Sequence, residues 1–239
     1  MPAPDTIEES KMSNFSSYES SRFASREPGP PTFRKKNMKG SKGLDTPYSL
    51  EGRAHDLVAQ GFGFVGRYTS PNSPTFAHKH LSAEEVRGFQ SVGLRILCIW
   101  EKGTQTSVRY FTAARGSADG RDHAASVKAL GAPLGTCLYF AIDYDSSSEE
   151  NRGPIEQYAR AYQQAVKDAG YLAGAYGNGD ALDHLFNSGI IHYRWLAWAP
   201  GWNGSRHYLG ADIVQGPTFQ FEGIDCDSNA QATDNAGLW

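Results

Sequence analysis

Residues 136–145 of this 239-residue chain read Thr-Cys-Leu-Tyr-Phe-Ala-Ile-Asp-Tyr-Asp. The run is apolar for most of its length, which is typical of a parallel strand buried on both faces. Apolar residues then recur at helical spacing from Ile155 to Ala169, with Pro154 near the start and Gly170 at the end. The sequence therefore predicts a strand followed by a helix, with two aspartates where the strand ends.

The same alternation extends outward from this unit over residues 43–239. Strands are predicted near 43–45, 62–68, 94–101, 136–145, 172–176, 191–198, 211–215 and 218–225. Helices are predicted near 50–60, 82–92, 124–130, 155–169 and 181–187, and a capping box, Ser82 to Glu85, opens the second. Alternating strands and helices indicate an α/β fold with a parallel sheet.

Eight such units favour a (β/α)8 barrel of the TIM type, and a doubly wound open sheet is the alternative. Little more than Gly216-Pro217 separates the last two predicted strands, so the last helices of the barrel must be degenerate.

The first 42 residues differ in composition from the rest of the chain. They are rich in Ser, Pro, Glu, Lys and Arg, with few apolar residues and no clear period. We predict a disordered N-terminal arm over 1–42 and a barrel domain over 43–239. The arm is either a solvated tail or an export or docking segment. Residues 1–30 contain no apolar core of an ordinary signal peptide, so localisation stays open, with non-classical secretion as one reading.

Composition excludes several classes of protein. The formal net charge of -3 argues against a nucleic-acid partner. The longest apolar runs are too short to span a bilayer. The three cysteines are isolated, and His78-Lys-His80 has no matched third ligand, so no metal site and no cofactor are expected. We expect a monomer.

Acidic residues cluster where the predicted strands end. They are Asp45, Glu101, Asp143, Asp145 and Asp225. In a barrel all of these positions lie on the carboxyl face, where active sites are built. Carboxylates gathered on one rim repel one another unless they bind something or share protons.

The pair Asp143 and Asp145 is the strongest signal. Side chains alternate along a strand, so both carboxylates should face the same way. Two close carboxyls can split their pKa values into a proton donor and a charged partner, which is the chemistry of glycosidic bond cleavage. The alternative for Asp145 is a cap on the next helix.

A second set of residues is suited to holding a sugar. These substrate-binding candidates are Arg67, Tyr68, Tyr176, Trp198 and Gln220. Aromatic rings at strand ends can stack on the apolar faces of pyranose rings, while polar neighbours hydrogen-bond the hydroxyls.

Five short motifs occur in a recognisable order. They are Lys42-Gly-Leu-Asp45, Phe64-Val-Gly-Arg-Tyr68, Tyr139-Phe-Ala-Ile-Asp-Tyr-Asp145, Gly174-Ala-Tyr-Gly177 and Gly223-Ile-Asp225. Over about residues 40–235, the chain resembles the glycoside-hydrolase-like family known as domain of unknown function 1906. That family is similar to the family-25 glycoside hydrolases, which are muramidases acting on bacterial peptidoglycan. The resemblance implies a (β/α)8-type barrel, an acidic pocket at the carboxyl ends of its strands and a polysaccharide substrate.

The resemblance also implies roles for individual acids. The muramidases carry Asp-x-Glu after the fourth strand, with Glu as the general acid and Asp stabilising an intermediate. Asp143 matches the Asp, whereas Asp145 stands at the Glu position and is one methylene shorter. Activity is therefore lost, shifted to another linkage or supplied by Glu101. Asp45 and Asp225 match acids of the first and last strands that line the pocket.

Three functional hypotheses follow. The first is a glycoside hydrolase that cleaves amino-sugar bonds in peptidoglycan or a related cell-wall polymer. The second is a catalytically inactive, carbohydrate-binding barrel. The third is a cell-wall hydrolase delivered by a dedicated secretion system or a phage particle. The third differs from the first in delivery and not in chemistry.

Overall fold

The computed structural model describes residues 39–239, so the predicted arm lies outside the described residues except for its end. The strands are β1 Lys42–Asp45, β2 Phe62–Tyr68, β3 Arg95–Trp100, β4 Cys137–Ala141, β5 Leu172–Gly177, β6 Tyr193–Leu196, β7 Ile213–Phe221 and β8 Ile224–Gln231. The α-helices are α1 Ala54–Ala59, α2 Ala83–Ser91, α3 Ala113–Ala129, α4 Ser148–Glu150, α5 Glu156–Asp168 and α6 Gly179–Asn187. A 3-10 helix spans Val108–Tyr110, and a kinked turn, Asn151–Ile155, joins α4 to α5.

The strands close into a single barrel in the order β1 to β8. Neighbours from β1 to β7 pair in parallel, whereas β8 pairs antiparallel with both β7 and β1. Within residues 39–239 no helix joins β6 to β7 or β7 to β8. The predicted eight-stranded α/β barrel with degenerate last helices is confirmed, and the open doubly wound sheet is wrong.

The last two strands differ from the predicted ones. Residues predicted as two strands, 211–215 and 218–225, mostly belong to the single strand β7, and β8 follows it. Glu222 and Gly223 have φ values of 50° and 81°, so a tight two-residue turn joins Phe221 to Ile224. A two-residue connection can join only antiparallel strands. Because β8 is reversed, its first residues lie on the same face as the carboxyl ends of the other strands.

The fourth strand ends earlier than predicted. All five residues of β4 are buried, as expected, but the strand stops at Ala141. A capping box between Ser147 and Glu150 then starts α4. Asp143 and Asp145 therefore lie in a connecting segment, where strand alternation no longer fixes the direction of their side chains.

The apolar core has two parts. Inside the barrel, the buried residues include Phe64 of β2, Leu97 of β3, Tyr139 of β4 and Trp195 of β6. The larger part packs the outer faces of the strands against the helices. The predicted capping box of α2 is confirmed, with Glu85 N donating to Ser82 Oγ at 3.0 Å. None of the described helices combines the length and apolarity that crossing a bilayer requires.

Candidate active site

Four carboxylates converge on one cavity of about 140 Å³ at the carboxyl face of the barrel. Asp45 ends β1, Glu101 follows β3, Asp143 follows β4, and Asp227 lies in β8. The rest of the lining includes two tyrosines, a tryptophan and a glutamine: Tyr68, Tyr176, Trp195 and Gln215. The volume corresponds to about four or five water molecules, at roughly 30 Å³ each.

Asp45 is the most deeply buried of the four acids. Its Oδ2 atom accepts hydrogen bonds from Asn229 Nδ2 at 2.6 Å and from Gln215 Nε2 at 3.2 Å. Burial raises the pKa of Asp45 to about 7, the amide of Asn229 opposes this rise, and the negative charge of Asp227 adds to it. Asp45 therefore takes up and releases a proton near neutral pH. Because both amides bind Oδ2, its other oxygen is the one that carries the proton.

Tight packing against β2 fixes the position of Asp45. A Cβ atom added at Gly66 would lie 2.6 Å from the Cβ of Asp45, which is well inside van der Waals contact. Only glycine at this position lets the two strands approach while the carboxyl group stays in the cavity.

Lys79 supplies the positive charge beside the four acids. Its side chain is buried, with Nζ 3.6 Å from Glu101 Oε2 and 4.2 Å above the ring of Tyr68. Burial lowers the pKa of Lys79, and Glu101 opposes this effect. The pKa of Asp143 is raised by burial and by the charge of Glu101, against the lowering effect of Lys79. Asp143 thus favours its protonated form more than an exposed aspartate does.

The aromatic side chains of the cavity are held by the same network of amides. Tyr176 donates its hydroxyl proton to Gln215 Oε1 at 2.9 Å, and Trp195 Nε1 donates to Asn229 Oδ1 at 2.8 Å. Burial raises the pKa of both Tyr68 and Tyr176 above the ordinary tyrosine value. Both hydroxyls are therefore protonated at neutral pH and can donate hydrogen bonds.

The structure brings five of the ten predicted site residues into this cavity: Asp45, Tyr68, Glu101, Asp143 and Tyr176. Asp145 is exposed and does not line it. Its Oδ1 atom accepts hydrogen bonds from Asn178 Nδ2 at 3.0 Å and from the backbone N–H of Asn203 at 2.7 Å. Asp145 thus ties together the loops that follow β4, β5 and β6.

The other four predicted residues also lie outside the cavity. Arg67 is fully buried, forms an ion pair with Glu85 at 2.8 Å and donates to the carbonyl oxygen of His78. It therefore anchors the loop that carries Lys79. Asp225 and Gln220 are hydrogen-bonded to each other across the β7–β8 hairpin. Trp198 lies on the rim with 55% of its surface exposed.

The predicted site set lacks Lys79, Gln215, Asp227 and Asn229, although Asp227 stands with Asp225 at the end of the last predicted strand. The sequence contained a signal for Gln215, Asp227 and Asn229. Glu222-Gly223 lies between two alternating runs and forms the hairpin turn that sets the register of β7 and β8. Lys79 had no such signal, since its loop is placed by the bridge between Tyr68 and His80 and by Arg67. Among residues 39–239, no group of three or more His, Cys, Asp or Glu side chains could hold a metal ion.

A model of the Rv2525c-like, glycoside hydrolase-like domain family matches residues 55–222, which is well over half of the chain. The chain belongs to this family. The match runs from α1 to the turn between β7 and β8, so it includes Glu101 and Asp143 but neither Asp45 nor Asp227. This agrees with the family resemblance carried by the sequence motifs.

Two curated relatives share part of the sequence. YbfG, an uncharacterised protein of Bacillus subtilis, is 28% identical over 167 residues, which cover 65% of this chain and 23% of YbfG. Rv2525c of Mycobacterium tuberculosis, which carries the provisional name of a peptidoglycan hydrolase, is 26% identical over 152 residues, or 61% of each chain. The matched part of this chain thus spans less than two thirds of either relative.

Solved structures show the same fold. The crystal structure of the Tat-secreted Rv2525c, in complex with HEPES, has a TM-score of 0.73 at 24% identity and covers 83% of this chain and 98% of that one. The catalytic domain of the endolysin ply40, from a bacteriophage of Listeria monocytogenes, has a TM-score of 0.52 at 15% identity, covering 82% and 94%. At these identities, the likeness concerns the fold alone.

Proposed function

We propose that this chain hydrolyses glycosidic bonds between amino sugars in peptidoglycan, with Asp143 as the proton donor. The observation that carries the proposal is the single cavity in which Asp45, Glu101, Asp143 and Asp227 meet. Four acids beside one buried lysine are costly to fold, so their convergence points to chemistry. Family membership supports a hydrolase, and the provisional name of Rv2525c supports peptidoglycan as the substrate.

Asp143 is suited to be the general acid. Burial and the neighbouring charge of Glu101 raise its pKa, which favours the protonated form that an acid catalyst needs. In the reaction, its carboxyl group gives its proton to the glycosidic oxygen as the bond from that oxygen to the anomeric carbon breaks. The resulting carboxylate then takes a proton from the water molecule that attacks the anomeric carbon.

Glu101 and Asp227 are suited to stabilise the positive charge that develops on the sugar ring. The ion pair with Lys79 holds the side chain of Glu101 in place, and Thr218 Oγ1 donates to Asp227 Oδ1 at 2.6 Å. Asp45, with a pKa of about 7, adds a hydrogen bond from its free oxygen when it is protonated. We assign the charged partner to Glu101 in place of Asp145, because Glu101 lines the cavity.

The polymer would lie mostly outside the cavity. A volume of about 140 Å³ is below the ~300–1,000 Å³ that is usual for sites enclosing a whole small ligand. It suits one sugar substituent, while neighbouring sugars rest on the rim, where the exposed ring of Trp198 offers a stacking surface. Since the relative Rv2525c is Tat-secreted, we also propose that this chain acts outside the cytoplasm.

The test is the release of reducing ends from purified bacterial cell walls. Asp143→Asn should lower the rate by about 10²- to 10⁴-fold, the usual contribution of a general acid. Glu101→Gln should also lower it strongly. Asp145→Asn is the matched control, because it keeps the Oδ1 acceptor for Asn178 and Asn203 and should retain most of the activity. Full activity in Asp143→Asn, or its loss in Asp145→Asn alone, would refute the assignment.

A carbohydrate-binding barrel without catalysis is the second candidate. The position of Asp145 favours it, because this residue stands where the similar muramidases carry their general acid and yet lies outside the cavity. On this hypothesis, wild-type protein sediments with cell walls but releases no reducing ends, whereas a hydrolase does both.

A further inference from the structure

A second cavity, of about 410 Å³, lies between α6 and the segment that joins α4 to α5. We call it the helical groove, and it is lined by Ser148, Asn151, Arg152, Asp180, Asp183 and His184 among others. It shares no lining residue with the candidate active site. Its volume falls within the ~300–1,000 Å³ range of small-ligand sites.

Asn151 gives the groove a buried hydrogen-bond donor. Its side chain is 1% exposed, and its Oδ1 atom accepts a hydrogen bond from Ser146 Oγ at 2.7 Å. Its Nδ2 atom is buried and has no hydrogen-bond partner within the described part of the chain. A buried amide without an acceptor is unfavourable, so an acceptor oxygen from a ligand in the groove would stabilise it.

The backbone beside Asn151 is kinked. Within Asn151–Ile155 the chain leaves helical geometry at Gly153, with φ -114° and ψ -108°, immediately before Pro154. Proline disfavours helical geometry in the residue before it, so a kink separates α4 from α5. The irregular turn places Arg152 at the groove, where its exposed guanidinium makes no ion pair and no hydrogen bond to any described residue.

The facing helix supplies the opposite charge. Asp180 and Asp183 of α6 both line the groove and are exposed. Asp183 accepts a hydrogen bond from the hydroxyl of Tyr208 at 2.7 Å. No hydrogen bond or ion pair engages the carboxylate of Asp180 within residues 39–239. The groove therefore offers one uncommitted cation, one uncommitted anion and a buried amide donor.

We propose that the helical groove binds a short peptide that carries both a free carboxylate and a free amine. Arg152 would pair with the carboxylate, Asp180 with the amine, and Asn151 Nδ2 would donate to a peptide carbonyl oxygen. A neutral glycan would leave both charges unpaired, so charge complementarity favours a peptide. We identify the source of this peptide as the peptide stem of peptidoglycan, and this identification rests on the proposed function.

The position of the groove fits this source. The segment from Asp143, in the active-site cavity, to Ser148, in the groove, spans five residues and so at most about 18 Å. A glycan bound at the cavity could therefore place a peptide attached to one of its sugars in the groove. The groove would then select glycan strands that still carry their peptides.

The experiment is calorimetric titration of the full chain with three ligands. They are the tripeptide L-Ala-γ-D-Glu-L-Lys, the same peptide with its amines acetylated and its carboxyls amidated, and the trisaccharide of N-acetylglucosamine. We expect the charged peptide to bind, and Arg152→Gln and Asp180→Asn each to weaken it about tenfold, the effect of losing one charge-assisted hydrogen bond. The neutral peptide should not bind.

Arg160→Gln is the matched control, since Arg160 is an exposed arginine of α5 outside the groove. It should leave peptide affinity unchanged. The proposal is overturned if the charged peptide does not bind, if it binds equally to Arg152→Gln and Asp180→Asn, or if its affinity is matched by that of the neutral peptide. Asp143→Asn separates the two proposals, because it should strongly lower the rate of wall cleavage and leave peptide binding intact. Peptide binding without cleavage by wild type would refute only the proposed hydrolase.

Discussion

Replacing Asp45 by Asn should change how the stability of the protein depends on pH. Burial holds the pKa of Asp45 at about 7 in the folded chain, against 3.8 for the exposed group. Between these values the folded state keeps a proton that the unfolded state releases. The free energy of unfolding of the wild type therefore falls as pH rises from about 4 to 7, by about 1.4 kcal/mol per pH unit from this group.

The total effect follows from the two pKa values. Their difference, at 1.36 kcal/mol per pKa unit, gives about 4 kcal/mol. The side chain that Asp45→Asn introduces resembles the protonated carboxyl, because its Oδ1 atom can still accept hydrogen bonds from Asn229 and Gln215. The variant lacks the titration, so its stability relative to wild type should rise by up to about 4 kcal/mol between pH 4 and pH 8.

Urea denaturation of both proteins at half-unit steps from pH 4 to pH 9 measures this difference. Asp225→Asn is the control, since Asp225 is an exposed acid of β8 and lies outside the cavity. Its difference from wild type gives the baseline for removing a carboxylate outside the cavity. A difference for Asp45→Asn that is constant across the range would show that Asp45 is charged throughout, and the reasoning about the cavity would fail.

Three further changes test other parts of the site. Lys79→Met removes the charge that lowers the pKa of Asp143, so the alkaline limb of the pH profile for wall hydrolysis should shift to higher pH by about one unit. If that limb does not shift, Asp143 is not the general acid. Glu85→Ala leaves the buried Arg67 unpaired and should cost about 3–5 kcal/mol in urea denaturation. Glu84→Ala removes only an exposed ion pair with Arg87 and should cost far less; equal losses would argue against the buried pair. Gly66→Ala should displace Asp45 and lower activity in the wall assay more than Gly63→Ala, where the nearest atom is 3.5 Å away; equal effects would argue against the close approach.

The barrel could be predicted from the sequence because most of its strands are buried on both faces and therefore appear as apolar runs. The apolar runs that became β2, β3 and β5 were predicted nearly as the structure has them. The errors lie at strand ends, where apolar pattern no longer determines the backbone. At the end of β4, the run continues through Ile142, but the strand stops at Ala141, so spacing alone could not place Asp143 and Asp145.

The residues of the candidate active site were predicted less accurately than the barrel, for the same reason. Asp45 ends β1 and Glu101 directly follows β3, so the apolar pattern places both, whereas for Asp143 it indicates only that the residue lies near the end of β4. Asp227 depends on the register of a hairpin, and Lys79 depends on contacts between distant segments that no local pattern encodes. Residues that are set by a strand could be predicted, whereas those set by pairing or by a loop could not.

The reversal of β8 explains how so much charge is held in one small cavity. Asp227 pairs with Asp45 and Asn229 with Gly43 across the β1–β8 ladder, so alternate residues of one strand meet the same carboxyl group. Asp227 raises the pKa of Asp45, while the Asn229 amide lowers it and fixes its orientation. A fold selected only for stability would gain by replacing these acids with amides or apolar groups. This barrel instead brings four acids together and holds one of them, Asp45, with two amides. A reaction that needs a carboxyl group able to exchange its proton near neutral pH best explains this arrangement.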